Sequence, residues 1–143
     1  MKDQQTESKL RLISLQLESW KKLHDLITYG LDKAKPIISV EQERQFTEVR
    51  ANLLRETEHV LRELNLLRDL SGWAMNVLNR GSSLRAVREL SKDDARRLEM
   101  EWNEVFTKLG VAQGQLKSLR KAFFEVTPFD YFKSRLLGRP LSP

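Results

Sequence analysis

Ala95-Arg-Arg-Leu98-Glu-Met-Glu-Trp102-Asn-Glu-Val105-Phe-Thr-Lys-Leu109-Gly-Val-Ala112-Gln-Gly-Gln-Leu116-Lys-Ser-Leu119-Arg-Lys-Ala-Phe123-Phe-Glu-Val126 decides the fold class of this chain. Apolar residues return at alternating steps of three and four, and all ten positions from Ala95 to Val126 are filled. With 40% hydrophobic residues overall, chance fills ten fixed positions with a probability of about 10⁻⁴. Such a seam turns one stripe of a helix toward partner helices.

Two further segments carry the same signal. Leu10, Ile13, Leu17, Trp20, His24, Ile27, Leu31 and Ala34 form a seam in a helix expected from Thr6 to Lys35. Pro36 stops it, because proline lacks an N–H and disfavours a helical residue before it. Leu12, Leu15, Leu23 and Leu26 widen that stripe, as suits a helix touching more than one neighbour. The second seam, Phe46, Val49, Leu53, Thr57, Val60, Leu64 and Leu67, follows Ser39, whose spacing to Gln42 is that of a capping box. The pattern continues through Leu70, Ala74 and Val77, so the second helix is expected to reach Asn79. Gly81 is the expected left-handed stop, and residues 84–90 suit a short helix. Ser91, with Asp93 and Asp94, caps the third long helix. Gly110 and Gly114 lie four apart within it and either permit close helix approach or soften its middle.

Three rods of about 30 residues, each about 45 Å long, joined by short turns, predict an all-α, antiparallel up-down-up bundle of three long helices. Extra short helices are expected around 72–90 and 128–137. Residues 1–5 and 139–143 read as disordered, 6–126 as the bundle and 127–138 as a short amphipathic helix. The layout is similar to the spectrin-repeat architecture: three long helices, heptad seams, and a tryptophan in the first and third. Here those are Trp20 and Trp102, expected at nearly the same height in helices that run parallel. No function follows from that likeness.

The chain has 143 residues and no cysteine, so thiolate and disulfide chemistry are excluded. No apolar run is long enough to cross a bilayer. Met1-Lys-Asp-Gln-Gln-Thr-Glu lacks the apolar core of a signal peptide. A cytoplasmic protein is the expectation. Net charge is +5, unevenly placed. Residues 1–116 carry 19 basic and 18 acidic side chains, whereas 117–143 carry six basic against Glu125 and Asp130.

No catalytic signature is present: no nucleophile elbow, phosphate loop or zinc spacing. Glu56-Thr-Glu-His59 matches half of a di-iron bundle motif, but Lys21 occupies the position three before His24, so the second half is missing. His24 lies on the seam and reads as a core-edge histidine satisfied by a carboxylate or carbonyl. Its protonation is expected to loosen the bundle if it is buried. No enzyme activity, cofactor, metal or small-molecule substrate is expected.

The C-terminal segment carries the strongest functional signal. Phe123, Phe124, Phe129, Tyr131 and Phe132 are five of the chain's eleven aromatics. Thr127-Pro128 has the chemistry of an N-cap followed by a first helical residue. On a helix from Pro128, Phe129, Phe132 and Leu136 share one face, with Lys133 and Arg135 beside or opposite. Two readings stay open: a lid folded over Ile37 and Ile38 near Pro36, or a docking element. The expected docking residues are Phe124, Phe129, Tyr131, Phe132, Lys133, Leu136 and Leu137.

The sequence therefore predicts a non-catalytic protein–protein interaction module, an adaptor, scaffold piece or assembly subunit that includes a homo-oligomer among its partners. An anionic membrane surface, bound through the basic amphipathic helix, is the alternative. Nucleic acid is the second alternative, contacted through Arg80, Arg85 and Arg88, where no acidic residue interrupts 71–88.

Overall fold

The computed structural model describes residues 2–125, with side chains from 4 to 122. The expected helix at 128–137 and the expected disorder at 139–143 lie outside the described residues. Five helices follow one another, with no strand among the described residues: α1 (Lys2–Leu31), α2 (Val40–Glu63), α3 (Leu67–Arg80), α4 (Leu84–Arg88) and α5 (Lys92–Glu125). The chain is an all-α helical bundle. The three long seams form three long helices, and shorter ones fill the stretch before α5.

α1 and α2 run antiparallel. Thr57 donates to Gln16 Oε1 at 3.1 Å, while the other ends meet across Val87, which lies close to both Gly30 and Gly81, the latter also near Phe46. Ser39 forms the capping box that the sequence predicts: its Oγ accepts from Gln42 N, and its own N–H donates to the Gln42 side chain. α1 stops at Leu31 rather than Lys35. Asp32 Oδ1 accepts from Ala34 N at 3.0 Å, a local turn that competes with another helical residue. The Arg88 guanidinium then collects the carbonyls of Tyr29, Gly30, Asp32, Lys35 and Pro36. It acts as a C-terminal cap supplied from a different helix. At the other end α1 begins at Lys2, where residues 1–5 were expected to be disordered. α5 is long enough to run beside these first turns, and Arg120 reaches Glu7 at 3.5 Å.

The second helix does not continue to Asn79. It ends at Glu63, and Asn65 adopts a left-handed backbone with φ 58°. Leu66 N–H donates to Leu61 O at 2.8 Å and Asn65 N–H to Arg62 O at 3.1 Å. That pair of bonds is a Schellman motif, with asparagine in the place glycine most often takes. Leu61 is buried and Leu66 packs against the core, the apolar clasp that accompanies such motifs. The chain then reverses. α3 returns along α2, so that Arg50 Nε donates to Leu78 O at 2.7 Å.

This return reverses α5 relative to the expectation. His24 meets Glu99, Trp20 meets Trp102, Ser14 meets Gln113 and Glu7 meets Arg120. The falling numbers on one helix against rising numbers on the other make α1 and α5 antiparallel. The bundle is up-down-up-down, with α3 as a short fourth limb and α4 across the end near Pro36. Trp20 and Trp102 do lie at one height, as their spacing predicts, but on antiparallel helices. The spectrin-like parallel pairing of first and third long helices is not what the chain adopts.

The core runs from Leu10 to Leu109 and includes Ile13, Trp20, Ile27, Phe46, Leu53, Leu70, Val77, Leu84 and Leu98. α4 approaches α1 closely at Gly30, where a Cβ would stand 3.2 Å from Val87 Cγ1. Gly81 ends α3 with φ −95°, not left-handed. A Cβ there would make ordinary contacts with Val77 O, Val87 and Phe46, at 3.4–3.6 Å, so neither conformation nor size requires glycine. Gly110 and Gly114 have open space where a Cβ would be, so neither marks a close helix approach among the described residues.

Asn65 should tolerate one class of substitution. Asn65→Gly is expected to raise stability by up to about 1 kcal/mol, and Asn65→Val to lower it by about 1–2 kcal/mol, because a β-branched residue resists positive φ. Urea midpoints at constant denaturant slope measure both.

Candidate functional site

Polar groups inside the bundle are consumed by one another. Gln16 Oε1 accepts from both Trp20 Nε1, at 2.8 Å, and Thr57 Oγ1. Trp102 Nε1 donates to Trp20 O at 2.9 Å. His24 Nε2 pairs with Glu99 Oε2 at 2.9 Å, the carboxylate partner that its place on the seam predicts. The imidazole also stacks on Trp102, 3.9 Å between centroids, and Trp102 stacks on Phe106. His24 is half-buried at the edge of the core, between Glu99 and the Trp102 ring.

The arginine trio divides. Arg80 Nε donates to Glu101 at 2.7 Å and its NH1 lies 3.7 Å from Asp94. Arg88 caps α1, with Tyr29 under its guanidinium at 5.6 Å. Arg85 alone is exposed, beside Ile37, Ile38 and Glu89 around a cavity of about 190 Å³. The three guanidiniums thus do not form one row of free donors. Glu56 and His59 are both exposed on α2, and among the described residues no group of three His, Asp or Glu side chains is placed to hold a metal. Among the described residues no helix is long and apolar enough to cross a membrane.

On the surface of α2, the Arg44 guanidinium hydrogen-bonds Glu41 and holds its carboxyl below the ordinary value. The same pairing, with Glu48 adding to it, raises Arg44. A depressed carboxyl stabilises the folded state at neutral pH, and that share is lost as acid protonates it. In full solvent the share is slight.

The expected docking residues fall at the far end of α5. Phe124 lies in its last turn; Phe129, Tyr131, Phe132, Lys133, Leu136 and Leu137 lie outside the described residues. The expected lid over Ile37 and Ile38 assumed that the third long helix ends near Pro36. Instead α5 starts at that end and its 34 residues carry the chain about 50 Å away. Ile38 is covered without it, whereas Ile37 is 88% exposed.

Beside that far end lies an apolar strip the bundle leaves open. Thr57 is level with Gln16, so the α2–α3 turn at Asn65 is level with about Ser8. Beyond it α1 and α5 continue as a two-helix stalk, held by Arg120 and Glu7. The α5 seam fades accordingly. Leu109 is buried, Ala112 and Leu116 are partly covered, and Val111 and Leu119 stand 56% and 57% exposed. Nothing in the heptad spacing distinguishes Leu119 from Leu109. Leu119 is exposed because it lies level with the α2–α3 turn, where those helices end, whereas Val111 lies off the seam. Val111 was likewise not singled out from the sequence.

Comparison of this chain with family models, curated proteins and solved structures gives no match. The site therefore rests on its own geometry.

Glu101 is 2% exposed and relies on Arg80. Arg80→Ala is expected to cost about 3 kcal/mol, because it strands a buried carboxylate, and Arg80→Met with Glu101→Leu to recover most of that loss. Chemical denaturation of the three proteins decides between this structural role and a free anion-binding arginine, whose loss leaves stability unchanged.

Proposed function

We propose that this protein is a non-catalytic protein–protein interaction module, an adaptor, scaffold piece or assembly subunit that docks through its aromatic C-terminal segment. One observation carries the reading: the α5 seam leaves Leu119 57% exposed at the end of the helix that leads in sequence to the five aromatics from Phe123 to Phe132. They follow a stalk whose own apolar strip is uncovered at Leu119. An apolar segment of this kind on a charged, soluble-type helical surface marks an interaction site. Partner docking by an amphipathic helix uses anchors at i, i+3 and i+7, the spacing of Phe129, Phe132 and Leu136. Lys133 and Arg135 favour a partner with acidic groups around its groove.

The inward satisfaction of Gln16, Thr57, Trp20, Trp102, His24 and Glu101 supports the absence of catalysis in this reading. Each is engaged in holding helices together.

Light scattering over a concentration range, with affinity capture in parallel, tests the proposal. Full-length protein is expected to associate with itself or to retain a partner, and Phe129→Ala with Phe132→Ala to abolish that association without altering the thermal melt. A monomer at every concentration that captures the same material as the double variant contradicts it. Association that requires anionic vesicles assigns the segment to a membrane surface instead.

A further inference from the structure

We infer that the Pro36 end of the bundle is a self-complementary patch that pairs two copies of this chain about a two-fold axis, with α4 lying antiparallel on its copy. Ile37 is 88% exposed and Val40 is 81% exposed, the two highest values among the exposed large apolar residues described. Ile37 is held out rather than left loose. Arg88 takes the carbonyls of Lys35 and Pro36 just before it, at 3.3 and 2.6 Å, and Ile38 just after it is seated in the core. Anchored on both sides, the side chain keeps its outward position and loses little freedom when it is covered.

α4 supplies the polar part of the patch. Leu84 and Val87 turn inward, so Arg85 and Glu89, four residues apart, share the opposite and exposed face. Their spacing suits an ion pair within the helix. Yet neither side chain is paired with the other or with any other group among the described residues. Both border the cavity of about 190 Å³ that Ile37 and Ile38 also line.

An unpaired cation and an unpaired anion on one face fit a partner that carries the same two charges in reverse order. A second copy, turned about a two-fold axis that crosses α4, is that partner by construction. Arg85 meets the copy's Glu89, Glu89 meets the copy's Arg85, and the two Ile37 side chains come together beside their cavities. The charge of this end agrees. Residues 32–41 and 85–93 together carry five basic and four acidic side chains. Two such ends therefore repel little, and a polyanion or an anionic lipid surface finds almost no excess of cations to bind.

The patch is small, and interfaces that bury less than about 1,200 Å² in total pair weakly and transiently. The dimer is accordingly expected toward high concentration. It forms where α5 starts, whereas Phe124 lies in the last turn of that helix. The pairing is therefore independent of docking through the C-terminal segment and is read with that segment silenced.

Sedimentation equilibrium of the full chain carrying Phe129→Ala and Phe132→Ala, from about 10 µM to about 1 mM, tests the inference. A monomer–dimer equilibrium is expected. Ile37→Asp, Arg85→Glu and Glu89→Arg are each expected to weaken it at least about tenfold, with the thermal melt unchanged because all three side chains are exposed. An equimolar mixture of the Arg85→Glu and Glu89→Arg chains is expected to regain the dimer, because the two variants oppose unlike charges at both places. A chain monomeric throughout that range overturns the inference. So does a dimer indifferent to Ile37→Asp or to the charge reversals, or a mixture no more dimeric than its components. Monomers that bind anionic vesicles, and lose them with Ile37→Asp, overturn it in favour of a lipid surface. Association that the two alanines abolish belongs to the C-terminal segment, so either proposal can fail without the other.

Discussion

The reversal at Asn65 governs the direction of every element after it. A helix carrying seam residues on both sides of that point, Val60 and Leu64 before it and Leu67 and Leu70 after it, has every apolar reason to continue. It stops because the Leu66 and Asn65 amides return to Leu61 and Arg62, satisfying carbonyls that a helix end otherwise leaves unpaired. Asparagine reaches the left-handed region at less cost than other residues with a side chain. Leu61 and Leu66 close the turn with an apolar contact. Once α3 runs back along α2, α4 must lie at the Pro36 end, and α5 must descend beside α1. The last described residue then falls next to the N-terminal turns of α1.

Register in this bundle is held by a few polar contacts set among apolar ones. Gln16 reaches two helices at once, accepting from Trp20 on its own helix and Thr57 on α2. Trp102 ties α5 to the α1 backbone. Glu101 and Arg80 tie α5 to α3, and Glu43 Oε1, accepting from Leu84 N at 2.6 Å, ties α2 to α4. Leaving any of these buried groups without its partner costs more than the bond itself contributes. A slip of one turn between helices would orphan several of them together. Apolar seams alone tolerate such slips far better, which is why the polar contacts define one arrangement.

Much of the fold was legible in the sequence. The seams named Leu10, Ile13, Trp20, Ile27, Phe46, Leu53, Val60, Leu98, Val105 and Leu109, all buried. The Ser39 capping box and the Ser91 cap appear as spelled, with Ser91 Oγ accepting from Asp94 N. What spacing could not reveal was the break at Asn65, because Leu64, Leu67 and Leu70 keep the period across a turn that costs no apolar contact. From that one omission came the parallel placing of the first and third long helices and the lid over Ile38. Site residues fared by the same rule. His24 beside a carboxylate was readable from its place on the seam. Arg80 and Arg88 resembled free cations only because their partners, Glu101 and the α1 carbonyls, are distant in sequence. Leu119 is exposed because α2 and α3 meet at its level, a fact no local pattern contains.

Topology is the claim on which the rest turns, and a distance between spin labels tests it most directly. Ser8→Cys and Ser118→Cys place nitroxides on exposed positions of α1 and α5 in a chain with no other thiol. The four-limb bundle sets these positions level on adjacent antiparallel helices, and predicts a single narrow distance of about 15–25 Å, given neighbouring helix axes about 10 Å apart and label arms on each side. A distance of about 40 Å or more, the separation that parallel first and third helices impose over some 27 residues of rise, would contradict it.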